Sequence, residues 1–249
     1  MVEQQMAIVT GVGQVNGIGA ATCRELAAKG VNLFFTYWEA TPEWPGAFQK
    51  ELQDFGIQCA YTRIDLSQDR AYLDLLDEVL KQLGEPTILI NNAAYSTRDG
   101  YLKLTAAELD HHYAINMRST FLLSVEFARR FEQSEQINGR IINLTSGQAQ
   151  GPMIGELAYG STKGAIAAFT LSLSAELAPL GITVNAVNPG PTDTGWMSEG
   201  VKKELSSKFL MGRIGLPQDA ARLIGFLASA ESKWITGQVI NSEGGFLRK

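Results

Sequence analysis

Short runs rich in β-branched and aromatic residues alternate along the whole chain with longer stretches of helical periodicity, and this alternation limits the fold more than any single motif does. Residues 6–10, 31–37, 57–64, 87–90, 140–145, 183–187 and 238–241 read as strands. Residues 20–29, 47–55, 68–83, 106–131, 158–177 and 218–227 read as helices. Within 68–83, Leu73, Leu76, Val79, Leu80 and Leu83 fall on one face. Strand–helix alternation with short links predicts an α/β fold: a doubly wound parallel sheet of about seven strands with helices on both faces. Such a sheet carries its ligand site at the carboxyl ends of the strands.

The chain has 249 residues, 45% of them hydrophobic and 19% charged. That suffices for one large core, and residues 1–249 read as a single domain. The irregular stretch 189–200 begins a candidate lid over about 190–210. A net charge of −5 argues against a broad nucleic-acid surface. No apolar run approaches membrane-spanning length, and residues 1–5 have neither the basic nor the apolar region of a secretory signal. Two cysteines, Cys23 and Cys59, read as buried reduced thiols, so a cytoplasmic protein is expected.

The first strand runs into Gly11-Val12-Gly13-Gln14-Val15-Asn16-Gly17-Ile18-Gly19 and then a helix. A glycine turn at a helix start presents backbone N–H groups and the positive helix end to a pyrophosphate. No Lys-Ser or Lys-Thr follows, which excludes a P-loop. The loop departs from G-x-G-x-x-G, and without a ligand it would be only a tight turn.

Tyr159 and Lys163 stand at i and i+4 on one helix face. A free tyrosine titrates near 10, too high for acid–base work at neutral pH. The neighbouring ammonium is expected to pull it down by favouring the phenolate. Ser146 closes the fifth strand at the carboxyl edge, where a site is expected; otherwise it is a turn or helix cap. His111 and His112 point about 100° apart on a helix, so they read as surface residues and no metal site is expected.

With these segments in order, the chain resembles the short-chain dehydrogenase/reductase family over nearly its whole length. The matching residues are Thr10-Gly11 with Gly17-Ile18-Gly19, Asp65-Leu66, Asn91-Asn92-Ala93-Ala94, Asn116, Ser146, Tyr159-x3-Lys163 and Asn188-Pro189-Gly190. The resemblance implies a Rossmann-type NAD(P)-binding fold and hydride transfer between nicotinamide and a carbonyl or secondary alcohol. It implies that Tyr159 is the general acid or base and that Ser146 donates to the substrate oxygen. Lys163 would hold the nicotinamide ribose, and Asn116 would hold a relay water. For the cofactor it implies Gly11, Gly17, Ile18, Tyr37, Asp65, Leu66, Ala93, Pro189, Gly190, Thr192 and Thr194, with Tyr159 and Lys163. Asn91 would lie near the adenosine ribose or support the sheet. A homotetramer is implied too, with helices from about 106 and 158 at the contacts.

Departures from the family pattern bear on the finer reading. The glycine turn is two residues longer than T-G-x3-G-x-G, which is similar to a divergent enoyl-reductase branch. That branch spaces its Tyr and Lys by six residues, whereas three separate them here, so carbonyl reduction is the reading and enoyl reduction the alternative. A non-catalytic dinucleotide-binding protein is the rival of another class. Tyr37 stands where NAD-preferring members carry an acid, so NADP is expected, with NAD as the alternative. Trp38 could stack on adenine or on an arginine, or simply pack on the surface. Similarity to 3-oxoacyl carrier-protein reductases would call for a basic docking surface, part of which Arg129 and Arg130 could supply. Ala175 before Glu176, where those reductases commonly have arginine, weakens that reading. Met197, Phe209 and Met211 either line an apolar pocket or pack the lid down.

Overall fold

In the computed structural model, which describes residues 5–248, the strands are β1 (Met6–Val9), β2 (Asn32–Tyr37), β3 (Cys59–Arg63), β4 (Ile88–Asn91), β5 (Arg140–Leu144), β6 (Thr183–Asn188) and β7 (Val239–Asn241). They form one seven-stranded parallel sheet in the order β3-β2-β1-β4-β5-β6-β7. The helices are α1 (Ile18–Ala27), α2 (Trp44–Gln53), α3 (Ala71–Leu83), α4 (Gly100–Lys103), α5 (Ala106–His112), α6 (Thr120–Gln133), α7 (Leu157–Leu177), α8 (Glu199–Ser206) and α9 (Pro217–Leu227).

Both faces of the sheet are dry, which is why its central strands are apolar at consecutive positions. Side chains alternate between the faces along each strand. Ala7, Val9, Leu33, Phe35 and Ile90 pack with Leu26 of α1, Phe48 and Leu52 of α2, and Ile224 and Leu227 of α9. Ile8, Phe34, Leu89 and Ile141 pack on the other side with Leu75 and Val79 of α3, Phe127 of α6 and Leu173 of α7. The strand order reverses between β1 and β4, whose following connections diverge to opposite faces. A crevice opens there at the carboxyl edge.

Three local features differ from the expected pattern. The helix expected over 106–131 is two helices joined by a π-helical turn at Tyr113–Ser119. The wide turn puts Asn116, fully buried, against the loop after β4, and such turns cluster at functional sites. Ser119 Oγ donates to the Ile115 carbonyl across it at 2.6 Å. α2 begins at Trp44, three residues before the expected start, because Pro45 suits the first helical turn. Within the candidate lid, residues up to Ser198 are irregular, and α8 then starts with Ser198 Oγ accepting from the Val201 N–H.

Candidate active site

The glycine turn forms one wall of the crevice. Gly11 has φ +73°, and a Cβ there would lie 2.5 Å from the Ala93 Cα. The turn therefore approaches the end of β4 as only glycine permits. A Cβ on Gly13 would lie 2.3 Å from the Glu39 carbonyl oxygen, and one on Gly19 2.7 Å from Asn92 Nδ2. Thr10 Oγ1 accepts from the Asn92 and Ala93 amides at 3.1 and 3.0 Å, and Asn92 Nδ2 donates to the Thr10 and Gly11 carbonyls. The two extra residues are accommodated outward. Gly17 N donates to Gln14 O at 3.1 Å, leaving Val15 half exposed. Arg24 Nη1 holds the Val15 carbonyl at 2.9 Å, and Trp44 Nε1 holds that of Val12 at 3.3 Å.

Between this wall and the ends of β2, β3 and β4 lies a groove of about 640 Å3. Of the residues singled out for a dinucleotide, it brings together Gly11, Gly17, Ile18, Tyr37, Asp65, Leu66, Ala93 and Thr194. Burial opposes ionisation of Asp65, but hydrogen bonds from Gln68 and Ser67 and the nearby His111 hold its carboxyl below the ordinary range. Gly-rich backbone at a helix start, an apolar floor and a carboxylate at the far end fit a nucleotide with a pyrophosphate.

Asn91 lies outside the groove lining. Its Nδ2 donates to Ser124 Oγ at 2.9 Å and Asn143 Oδ1 at 2.8 Å, and Asn143 Nδ2 donates to Thr170 Oγ1 at 2.9 Å. Of its two expected roles, the side chain performs the sheet-supporting one. Pro189, Gly190 and Thr192 form a tight turn after β6, in which Thr192 Oγ1 donates to the Pro189 and Gly190 carbonyls. Gly190 has φ +62°, and a Cβ there would meet Glu243.

The second half of the site is on α7. Lys163 is 2% exposed, and its Nζ donates to the Leu144 carbonyl at 2.7 Å while lying 5.6 Å from the Tyr159 ring centroid. Thr145 Oγ1 donates to the Lys163 carbonyl at 2.9 Å. Ser146 follows directly on the two residues that grip Lys163. Its Oγ lies 3.5 Å from Met153 Sδ, an interaction weak enough for a substrate oxygen to replace. Asn116 joins this half to the groove. Its Oδ1 accepts from Tyr95 N at 2.7 Å, and its Nδ2 donates to Tyr95 O at 2.9 Å and Thr162 Oγ1 at 3.1 Å. Both amide hydrogens are thus committed and position the loop after β4, so a relay water would be held by donating to Oδ1, which keeps a second lone pair.

The charges differ from expectation in one respect. Burial, reinforced by Glu156, pushes the Tyr159 phenol up to about 12, where its lysine neighbour was expected to lower it. Burial also brings the Lys163 ammonium down to about 8. In this state the desolvation of both groups outweighs their mutual attraction.

Two positions had no local signal in the sequence. Asp99, 6% exposed, accepts from Leu157 N and Ala158 N at 2.8 Å each. It thereby caps the helix that carries Tyr159 from a loop 58 residues away. Asp99→Ala should cost about 1–3 kcal/mol of stability in denaturant unfolding, because a buried and a part-buried N–H lose their acceptor. An unchanged unfolding midpoint would refute that role. His112, expected on the surface, is fully buried. Its Nδ1 lies 2.9 Å from the Glu108 carbonyl, and its ring packs 4.7 Å from that of Tyr95. α5 turns this side inward against the loop that Asn116 holds. Met197 and Phe209 are buried and pack segment 190–210 down, with Phe209 4.9 Å from Phe246, whereas Met211 is exposed.

Comparisons with known proteins agree with this architecture. A family model described as enoyl-(acyl carrier protein) reductase matches residues 11–247. An uncharacterised oxidoreductase, YjdA, of Bacillus subtilis (strain 168) is 57% identical over 246 residues, covering 99% of this chain and 98% of that one. The L-2,3-butanediol dehydrogenase of Corynebacterium glutamicum is 32% identical over 259 residues, with 98% of each chain covered. A solved structure of a blue fluorescent protein from a metagenomic library, in complex with NADPH, superposes with a TM-score of 0.88 at 30% identity over 97% of each chain. Fold and relatives together define an α/β oxidoreductase. The chain belongs to the short-chain dehydrogenase/reductase family.

Proposed function

We propose that the protein interconverts a carbonyl and a secondary alcohol with NADP(H), using Tyr159 as general acid in reduction and general base in oxidation. The observation that carries this reading is the seating of Tyr159, Lys163 and Ser146 at the carboxyl edge, tied through Asn116 to the end of the glycine-walled groove. A bound nicotinamide would supply or accept the hydride. The residues named above would hold its adenosine and pyrophosphate along the groove. Tyr159 would transfer a proton to or from the substrate oxygen while Ser146 donates a hydrogen bond to it. Lys163 would place positive charge beside the phenol, and segment 190–210 would close over the site to exclude water.

NADP(H) is preferred over NAD(H) in this reading because no acid ends β2. A carrier-protein substrate is less well supported, since Arg129 and Arg130 are already paired with Glu126 and Asp77. A homotetramer is favoured by α7, which carries only Lys163 and Glu176 as charges in 21 residues and exposes Leu157 and Leu171. Light scattering giving a monomer would end that part of the reading. No helix among the described residues is long and apolar enough to cross a membrane. The free, buried Cys23 and Cys59 suit a cytoplasmic protein.

The test is a panel of ketones, 3-oxoacyl thioesters and enoyl thioesters, followed by loss of reduced-cofactor absorbance with NADPH and NADH. Ketone or oxoacyl reduction, faster with NADPH, is expected. Turnover of the enoyl thioesters alone would select the alternative that the longer glycine turn suggests. Silence throughout, with tight cofactor binding, would make the chain a binding protein.

A further inference from the structure

Arg63 ends β3 directly opposite Tyr37, the last residue of β2, and it is exposed. Its guanidinium carbon lies 4.6 Å from the centroid of the Trp38 ring, and its Nε donates to the Trp38 carbonyl at 3.0 Å. Those two contacts fix the plane of the guanidinium and leave its terminal amino groups uncommitted. Most arginines of the chain face a carboxylate: Arg24 with Glu51, Arg98 with Glu156, Arg118 with Asp69, Arg213 with Asp219 and Arg248 with Glu243. Among the described residues Arg63 has no such partner.

Its position gives this cation a use. Tyr37 and Trp38 line the groove at the end of β2, the place where a carboxylate would bind an unphosphorylated adenosine ribose. Tyr37 cannot do so. A planar cation with a free fork, oriented by an indole face and a carbonyl, is a preorganised receptor for a phosphate dianion. The nearest acid along the chain, Glu39, lines the same groove. Its carbonyl abuts Gly13 at the glycine wall, whereas Arg63 approaches from β3.

We propose that Arg63, presented by β3 and oriented by Trp38, binds the 2′-phosphate of the adenosine ribose and so sets this chain's preference for the phosphorylated cofactor. The inference rests on the dinucleotide reading of the groove above. It differs from the expectation for the end of β2, because the cation comes from the neighbouring strand.

Binding of 2′,5′-ADP and 5′-AMP, which differ only in the 2′-phosphate, measured by calorimetry on the full chain without substrate, tests it. The wild type should bind 2′,5′-ADP about tenfold to a hundredfold more tightly than 5′-AMP, the scale of a charge-assisted hydrogen-bonded pair. Arg63→Ala should remove that preference and leave 5′-AMP affinity unchanged. Arg63→Lys should keep part of it, as a point charge without the fork. Melting curves with and without 5′-AMP check that each variant is folded and retains the groove. Equal wild-type affinities for the two nucleotides, or an Arg63→Ala variant that still prefers 2′,5′-ADP, would overturn the assignment while leaving the groove's nucleotide role intact. A wild type that binds neither nucleotide would overturn both.

Discussion

Tyr159→Phe should lower turnover by at least about 10²-fold, the scale for loss of an acid–base group, and leave cofactor binding unchanged. The substitution removes one oxygen from a half-buried ring and no backbone contact. The phenol titrates at about 12 in the structure, so it is neutral across the physiological range. A neutral phenol is a ready proton donor but a poor acceptor. Carbonyl reduction should therefore vary little between pH 6 and 8. Alcohol oxidation, which needs the phenolate, should climb with alkalinity. Steady-state rates in both directions across that range check both claims. Near-normal turnover in the phenylalanine variant would remove Tyr159 from the chemistry.

Lys163→Met should abolish most turnover and yet raise stability at neutral pH. The ammonium titrates at about 8 in the fold and near 10.4 when unfolded. Below pH 8 both states bind the proton, and the fold bears the full penalty of a buried charge. Between pH 8 and about 10.4 the unfolded chain binds more protons than the folded one, so wild-type stability rises with pH. The methionine variant escapes that penalty but leaves the Leu144 carbonyl without its donor, which returns about 1 kcal/mol. A net gain on the order of 1–2 kcal/mol at pH 7 is expected, vanishing or reversing above pH 10.5. Chemical denaturation of both proteins at the two pH values measures it. A variant less stable than wild type at pH 7 would show that the lysine is a structural asset.

Strand and helix identities were legible because burial on both faces leaves unbroken apolar runs, and burial on one face leaves a helical stripe. Residues 88–90, apolar and lying between Pro86 and two asparagines, could be little else. The π-helical turn was hidden, because one wider turn within 106–131 barely disturbs a pattern of 3.6 residues. Spacing alone exposed the Tyr159–Lys163 pair. Spacing could not reveal that burial outweighs the pair's attraction, which reversed the expected direction for the phenol. An exposed indole such as that of Trp38 can stack on an arginine. Only the β2–β3 register shows that Arg63, 25 residues on, is the one. Asp99 lay out of reach for the same reason, since its partners follow 58 and 59 residues later.

That carboxylate has an evolutionary consequence. The segment around Asp99 is a surface connection that lines a pocket beside the start of α7, and such segments ordinarily drift freely as enzymes acquire new specificities. Here the same segment anchors the start of the helix bearing Tyr159. Insertions or deletions there would therefore also shift Tyr159, the proposed proton donor. New specificities should arise more readily from the candidate lid around 190–210, where among the described residues no equivalent tether reaches Ser146, Tyr159 or Lys163.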